Sequence, residues 1–126
     1  MNDITPPVPQ GRQLIQGYGG GGFRIAGEAY RGSLFVCPDK SFAWPVSSYE
    51  DISIPSLQDL LAESASIEVL LIGCGARMGM PRADIRDALK DHGIVPEWMD
   101  TGAACRTFNV LLSEDRAVAA ALIAVD

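Results

Sequence analysis

Side chains that could perform chemistry are concentrated in two segments of this sequence, and the first follows an apolar run over residues 69–72. Its members are Gly73, Cys74, Gly75 and Arg77. In open α/β sheets, ligands gather at the carboxyl ends of the strands, and glycine lets a ligand approach the backbone closely. A dinucleotide fingerprint would also need glycine at position 78, which is Met78. The loop over residues 73–81 is therefore predicted to form one wall of a cleft, and no cofactor is predicted.

The second segment, over residues 100–109, combines a helix start with polar side chains on one helix face. Asp100 or Thr101 is suited to cap the helix, because a short side chain with an oxygen atom accepts a hydrogen bond from a free backbone N–H. Arg106 and Asn109, three residues apart, present a fork of N–H donors beside an amide. Two interpretations stay open: Arg106 binds an anionic ligand, or it ties the helix to a neighbouring loop. The predicted ligand-binding residues of both segments are Gly73, Cys74, Gly75, Arg77, Asp100, Thr101, Arg106 and Asn109.

Three arginines, Arg77, Arg82 and Arg86, cluster where another helix is predicted to start. Cations at a helix N-terminus oppose the helix dipole, at a cost of roughly 0.3–1 kcal/mol each. The cluster therefore indicates either a bound anion or solvated arginines that Asp84 and Asp87 offset, and both interpretations stay open.

Covalent, acid–base and metal chemistry find little support in the sequence. Cys74 is the one thiol near arginines and a predicted helix start, both of which favour a reactive thiolate. A cysteine nucleophile also needs a nearby base, and the single histidine, His92, is predicted at the far end of that helix. We therefore expect Cys74 to be buried and inert, and we predict no catalytic residue and no metal ligand. The glycine run over residues 19–22 lacks the Gly-Lys-Ser/Thr ending of a P-loop and is predicted to be a turn between strands.

The composition is that of one ordinary globular domain and excludes several classes of partner. The chain has 126 residues, of which 48% are hydrophobic and 21% are charged. Its formal net charge of −6 argues against nucleic acid as a partner. No apolar stretch reaches the roughly 20 residues that a membrane-spanning helix needs, and the N-terminus does not resemble a signal peptide. We expect a cytoplasmic protein with reduced cysteines and no direct membrane insertion.

Hydrophobic periodicity predicts antiparallel β structure in the first third of the chain and alternating strands and helices after it. Strands are predicted at residues 23–25, 30–37, 41–46, 68–72, 94–99 and 116–125. Helices are predicted from the N-cap Ser56, from Pro81 to Gly93, and over residues 101–112. The prediction is a single α/β domain over residues 14–126, with helices packed on a mixed sheet, after a mobile N-terminal arm over residues 1–13.

Three stretches of the chain, residues 72–75, 98–112 and 116–122, resemble a widespread family of small proteins of unknown function. The mitochondrial member of that family is assembly factor 3 of respiratory complex I (NADH dehydrogenase). The resemblance implies a three-layer α/β fold: a mixed central β-sheet with helices and an additional antiparallel β layer from the N-terminal half. It carries over no catalytic residues, because the family has none established. Cys74 is a departure, since the family pattern more often has threonine there.

Three functions follow as hypotheses. The first, supported by the resemblance, is a non-catalytic protein that binds a protein partner, such as an assembly factor for a respiratory or other membrane complex; a homodimer stays open. The alternative is a binding protein or enzyme for a small anionic ligand. Its cleft would lie between the 73–82 loop and the start of the 101–112 helix, with Arg77 and Arg106 as the binding residues. The third hypothesis is a redox protein that uses Cys74.

Overall fold

A computed structural model describes residues 12–126, and residues 1–11 of the predicted N-terminal arm lie outside the described part. Short 3₁₀ turns over residues 49–51, 55–57 and 64–66 accompany the regular elements. The strands are β1 (Ile15–Gly19), β2 (Gly22–Ile25), β3 (Glu28–Arg31), β4 (Leu34–Val36), β5 (Ser41–Ala43), β6 (Val69–Gly73), β7 (Val95–Met99) and β8 (Val118–Leu122). The α-helices are α1 (Gln58–Leu61), α2 (Ala83–Lys90) and α3 (Thr101–Ser113).

The strands form two sheets. Strands β1, β2 and β3 make an antiparallel sheet, and the second sheet has the order β5-β4-β8-β6-β7. Strand β6 is parallel to both β7 and β8, whereas β4 is antiparallel to β8 and β5, so the central sheet is mixed. The predicted mixed central sheet with an extra antiparallel β layer is confirmed.

The central sheet separates two hydrophobic cores, because successive side chains of a strand point to opposite faces. Leu70 and Ile72 of β6 belong to the core that the α2 residues Ile85 and Leu89 close. Leu71 belongs to the other core, which helix α3 and the three-stranded sheet share. The continuous apolar sequence of β6 is thus explained by burial on both faces. Within residues 12–126, no helix is long and apolar enough to cross a membrane.

The single strand predicted over residues 30–37 is wrong. The structure has two strands there, β3 and β4, and they belong to different sheets. Gly32 separates them with a φ of +81°, a backbone conformation that side chains disfavour. The glycine therefore turns the chain from the small sheet into the central one.

Two predicted helix starts are also corrected. Ser56 does not cap a helix; its hydroxyl donates to the Ser53 carbonyl at 2.6 Å, and only a 3₁₀ turn and the four-residue helix α1 follow. Helix α2 begins at Ala83 rather than at Pro81, because Arg82 keeps an extended backbone. A proline restricts the conformations of its neighbours but does not by itself fix the first helical residue.

Candidate functional site

A cleft lies at one edge of the central sheet, where three parallel strands end. Strands β6, β7 and β8 run in the same direction, so the residues that follow them meet at this edge. The cleft has a volume of about 800 Å³. Its walls are the 74–79 loop after β6, Asp100 and the start of α3 after β7, the 123–126 segment after β8, residues 47–50, and Tyr18 of β1. This is the edge at which open α/β sheets bind their ligands.

Five of the predicted site residues line this cleft: Cys74, Gly75, Arg77, Asp100 and Arg106. That they bind a ligand stays a prediction.

Thr101 and Gly73 form the packed base behind the cleft rather than its wall. The Thr101 side chain is fully buried; its hydroxyl donates to the Ile123 carbonyl at 2.7 Å and accepts from the Gly75 N–H at 3.0 Å. A methyl group added at Gly73 would lie 3.1 Å from the Thr101 Cα atom. These two residues hold the loops after β6 and β8 against the start of α3.

Asn109 lies away from the cleft and links α3 to strand β1. Its side-chain oxygen accepts from the Ile15 N–H at 2.9 Å, and its side-chain nitrogen donates to the Ile15 carbonyl at 2.8 Å. The amide thus satisfies both backbone groups of one residue on a sheet edge. These two hydrogen bonds give Asn109 a structural role.

Asp100 is the residue that caps α3. Its side chain accepts a hydrogen bond from the Ala103 N–H at 2.8 Å, and its backbone is extended, as an N-cap requires. The sequence left Asp100 and Thr101 as alternatives, and the structure selects Asp100. Because this oxygen is already bonded to the helix, Asp100 is a weak candidate for general-base chemistry.

The arginines of the cleft have few partners. Within residues 12–126, Arg77 forms no hydrogen bond or ion pair, and Arg106 forms one bond, from Nη1 to the Tyr18 hydroxyl at 3.3 Å. Both arginines are exposed. Most of their N–H donors are therefore available to a ligand.

Another arginine of the predicted cluster, Arg82, already has partners within the protein. Arg82 lies 2.8 Å from Asp84 through Nη2 and Oδ2, and it also donates to the Ile52 carbonyl. This ion pair holds the pKa of the Asp84 carboxyl below its usual value. For Arg82, the interpretation as an arginine offset by an acidic neighbour applies.

Two tyrosines that the sequence analysis did not single out shape the cleft. The Tyr18 hydroxyl lies so close to Gly102 that a methyl group there would come within 2.4 Å of it. The Tyr49 ring lies similarly close to Gly79, where an added methyl group would come within 2.7 Å of a ring carbon. The Tyr49 hydroxyl donates to the Met80 carbonyl. The two glycines are the only local signal, since glycine permits close approach of another group.

The thiols are placed for packing rather than for reaction. Cys74 is 7% exposed, and its sulfur lies 3.5 Å from the Ile72 carbonyl oxygen. Burial raises the pKa of the Cys74 thiol, so the unreactive protonated form prevails near neutral pH. His92 lies at the end of α2, with Nδ1 3.1 Å from the Ala88 carbonyl, and does not line the cleft. Among residues 12–126, no group of three or more metal-ligating side chains comes together.

Two methionines are exposed in the loop that follows β6 at one side of the cleft. Met78 lines the cleft and is 63% exposed, and Met80 is 79% exposed. Flexible, polarizable methionines adapt to differently shaped apolar partners. Their exposure next to Arg77 gives this edge of the cleft both apolar and cationic character.

Comparisons with known proteins match the chain to one family and to named relatives. The family described as protein of unknown function (DUF498/DUF598) matches residues 15–123. A zebrafish (Danio rerio) protein named NADH dehydrogenase (ubiquinone) 1 alpha subcomplex assembly factor 3 is 43% identical over 110 residues, which cover 87% of this chain and 63% of the zebrafish protein. The chain thus spans less than two thirds of that relative's length.

Bacterial proteins match over more of their own length. An uncharacterised protein of Rhodobacter capsulatus is 37% identical over 109 residues, which cover 86% of this chain and 82% of that protein. A solved structure described as an outer membrane protein from Bartonella henselae is 43% identical, with a TM-score of 0.85. The superposition covers 93% of this chain and 98% of the Bartonella chain, so the two chains share one fold.

Proposed function

We propose, from the premise that this chain belongs to the DUF498/DUF598 family of proteins of unknown function, that it is a non-catalytic protein that binds another protein through its cleft. A relative named as an assembly factor of NADH dehydrogenase supports this proposal. Recognition of a subunit is sufficient for such a role and requires no chemical step. We therefore propose an assembly role on a respiratory or other membrane complex.

The observation that carries the proposal is the pairing of exposed Met78 with Arg77, which has no partner within residues 12–126, on an open cleft. The Cys74 thiol is protonated near neutral pH, and the Asp100 side chain caps a helix. The cleft thus offers contacts for an apolar side chain and for an anion, and this combination is typical of protein recognition.

Native mass spectrometry of the tagged protein, gently purified from its own cells, tests this function. We expect a protein partner to co-purify with the wild type and to be lost from an Arg77→Ala, Met78→Ala double variant. Arg86→Ala provides the matched control, because Arg86 is an exposed arginine that does not line the cleft. A wild-type protein that stays partnerless while it turns over a metabolite would contradict the proposal. The measured mass also tests for a homodimer, and fractionation of the cells tests the predicted cytoplasmic location.

The second candidate function is binding of a small anionic ligand, and the free donors of Arg77 and Arg106 favour it. Arg106→Ala would then abolish ligand binding and leave the circular dichroism spectrum and melting temperature unchanged. An Arg106→Ala protein that unfolds would instead make the arginine structural and remove this candidate.

A further inference from the structure

We infer that the partner enters the cleft with a carboxylate-bearing peptide segment, whose carboxylate binds Arg77 and Arg106 while an adjacent apolar side chain packs on Met78. The inference rests on the proposed function, because it names the chemistry of the partner at that site. It is carried by the charges of the cleft, by its exposed apolar rim and by the contacts that hold both in place.

Among anions, the charged side chains of the cleft favour one with a single charge over one with several. Within residues 12–126, most N–H donors of Arg77 and Arg106 have no partner, and a guanidinium group matches the two oxygens of a carboxylate. Glu50, Asp100 and Asp126 also line the cleft, yet none forms an ion pair with either arginine. With three acidic side chains against two basic ones, phosphates and other multiply charged anions are repelled more strongly than one carboxylate.

The size and rim of the cleft favour a peptide over a small free anion. A volume of about 800 Å³, bounded by five separate segments, is far larger than one carboxylate needs. Met78 and Met80 remain 63% and 79% exposed, so an anion alone leaves the apolar rim uncovered. A peptide with an acidic residue next to an apolar one contacts both features.

Two tyrosines hold part of this site in position, namely the loop of the methionines and the Arg106 side chain. The Tyr49 ring lies against Gly79 and its hydroxyl donates to the Met80 carbonyl, which anchors the loop of the methionines. The Tyr18 hydroxyl accepts from Arg106 and orients its guanidinium group. A preorganised site loses less conformational entropy when it binds.

Selection from a random 12-residue peptide display library tests the inference directly. We expect enrichment of peptides with Asp or Glu next to an apolar residue. In isothermal titration, Arg77→Ala and Arg106→Ala should each weaken binding of a selected peptide about tenfold, which corresponds to about 1.4 kcal/mol. Tyr18→Phe should weaken it a few-fold, since Arg106 then loses its orienting contact, and Arg86→Ala should leave affinity unchanged.

A double-mutant cycle shows whether the peptide acid meets Arg106. Replacing the peptide's Glu by Gln should weaken its affinity for the wild type about tenfold. It should weaken the affinity for the Arg106→Ala protein much less, because the two changes remove the same contact. The inference would be overturned if the selected peptides lacked an acidic residue. It would also be overturned if the change from Glu to Gln weakened affinity equally for the wild type and for Arg106→Ala. Tighter binding of sodium phosphate, sodium acetate or phosphatidylglycerol vesicles than of any selected peptide would overturn it as well.

The failure of this inference is distinguishable from failure of the proposed function. If the native partner co-purifies equally with the wild type and with Arg77→Ala, Arg106→Ala protein, the partner function stands and the carboxylate inference is wrong. If no partner co-purifies with the wild type, the function itself fails.

Discussion

Replacing Thr101 by valine should destabilise the protein strongly, although the substitution changes almost no volume. The hydroxyl of this fully buried side chain joins two loops: it donates to the Ile123 carbonyl at 2.7 Å and accepts from the Gly75 N–H at 3.0 Å. Valine keeps the shape but leaves both backbone groups buried without partners. A buried polar group that loses its partner costs about 1–3 kcal/mol, so we expect a total loss of about 2–5 kcal/mol.

Urea unfolding followed by circular dichroism measures this loss. The urea concentration at the unfolding midpoint should fall. The slope of the unfolding free energy against urea concentration should stay the same, because the area exposed on unfolding does not change. Thr101→Ser is the matched control: it keeps the hydroxyl and removes one buried methyl group, for a loss of about 1 kcal/mol. If Thr101→Val costs less than about 1 kcal/mol, or if serine is as harmful as valine, the two hydrogen bonds do not hold the cleft together.

Three further predictions concern other contacts. Asn109→Ala should lower the free energy of unfolding by about 1–3 kcal/mol and speed hydrogen exchange of the Ile15 amide; unchanged exchange would contradict the link between α3 and β1. Burial raises the pKa of Cys105 from 9.0 to about 12. The free energy of unfolding should therefore not depend on this thiol below pH 9, and it should fall by up to about 1.4 kcal/mol per pH unit above pH 9. The fall with pH should be shallower for Cys105→Ala, and an equal fall in both proteins would refute this cause. Gly79→Ala should push the Tyr49 ring away and speed trypsin cleavage of its loop, and an unchanged digestion rate would show that the ring does not anchor it.

The parts of the fold that were predictable are those where a local pattern determines the structure. The apolar run of β6 predicts a strand buried on both faces, and both faces are indeed covered. The spacing of four apolar residues predicts the inward face of α3: Ala104, Phe108 and Leu112 are buried, and Leu111 is partly buried. The break at Gly32 was predictable in part, because glycine next to serine inside a strand pattern is a turn signal, and the predicted strand was extended across it.

The shape of the cleft could not be predicted because it depends on contacts between distant residues. The Tyr18 hydroxyl meets Arg106 across 88 positions of the chain, and Tyr49 meets Met80 across 31. Neither tyrosine belongs to a pattern that points to the other residue. The parallel arrangement of the strands, by contrast, brought Gly75 and Asp100 to one edge as the strand–loop order implied.

Helix geometry explains why the predicted site residues of α3 have different tasks. At 3.6 residues per turn, Thr101 shares the buried face with Ala104 and Phe108, whereas Arg106 lies about 140° away from Thr101 around the axis. Gly102, one turn before Arg106, lies on the same side and leaves the space that the Tyr18 hydroxyl occupies. A side chain at position 102 would therefore displace Tyr18 and break its hydrogen bond with Arg106, so the absence of a side chain at Gly102 is what allows Tyr18 to orient Arg106.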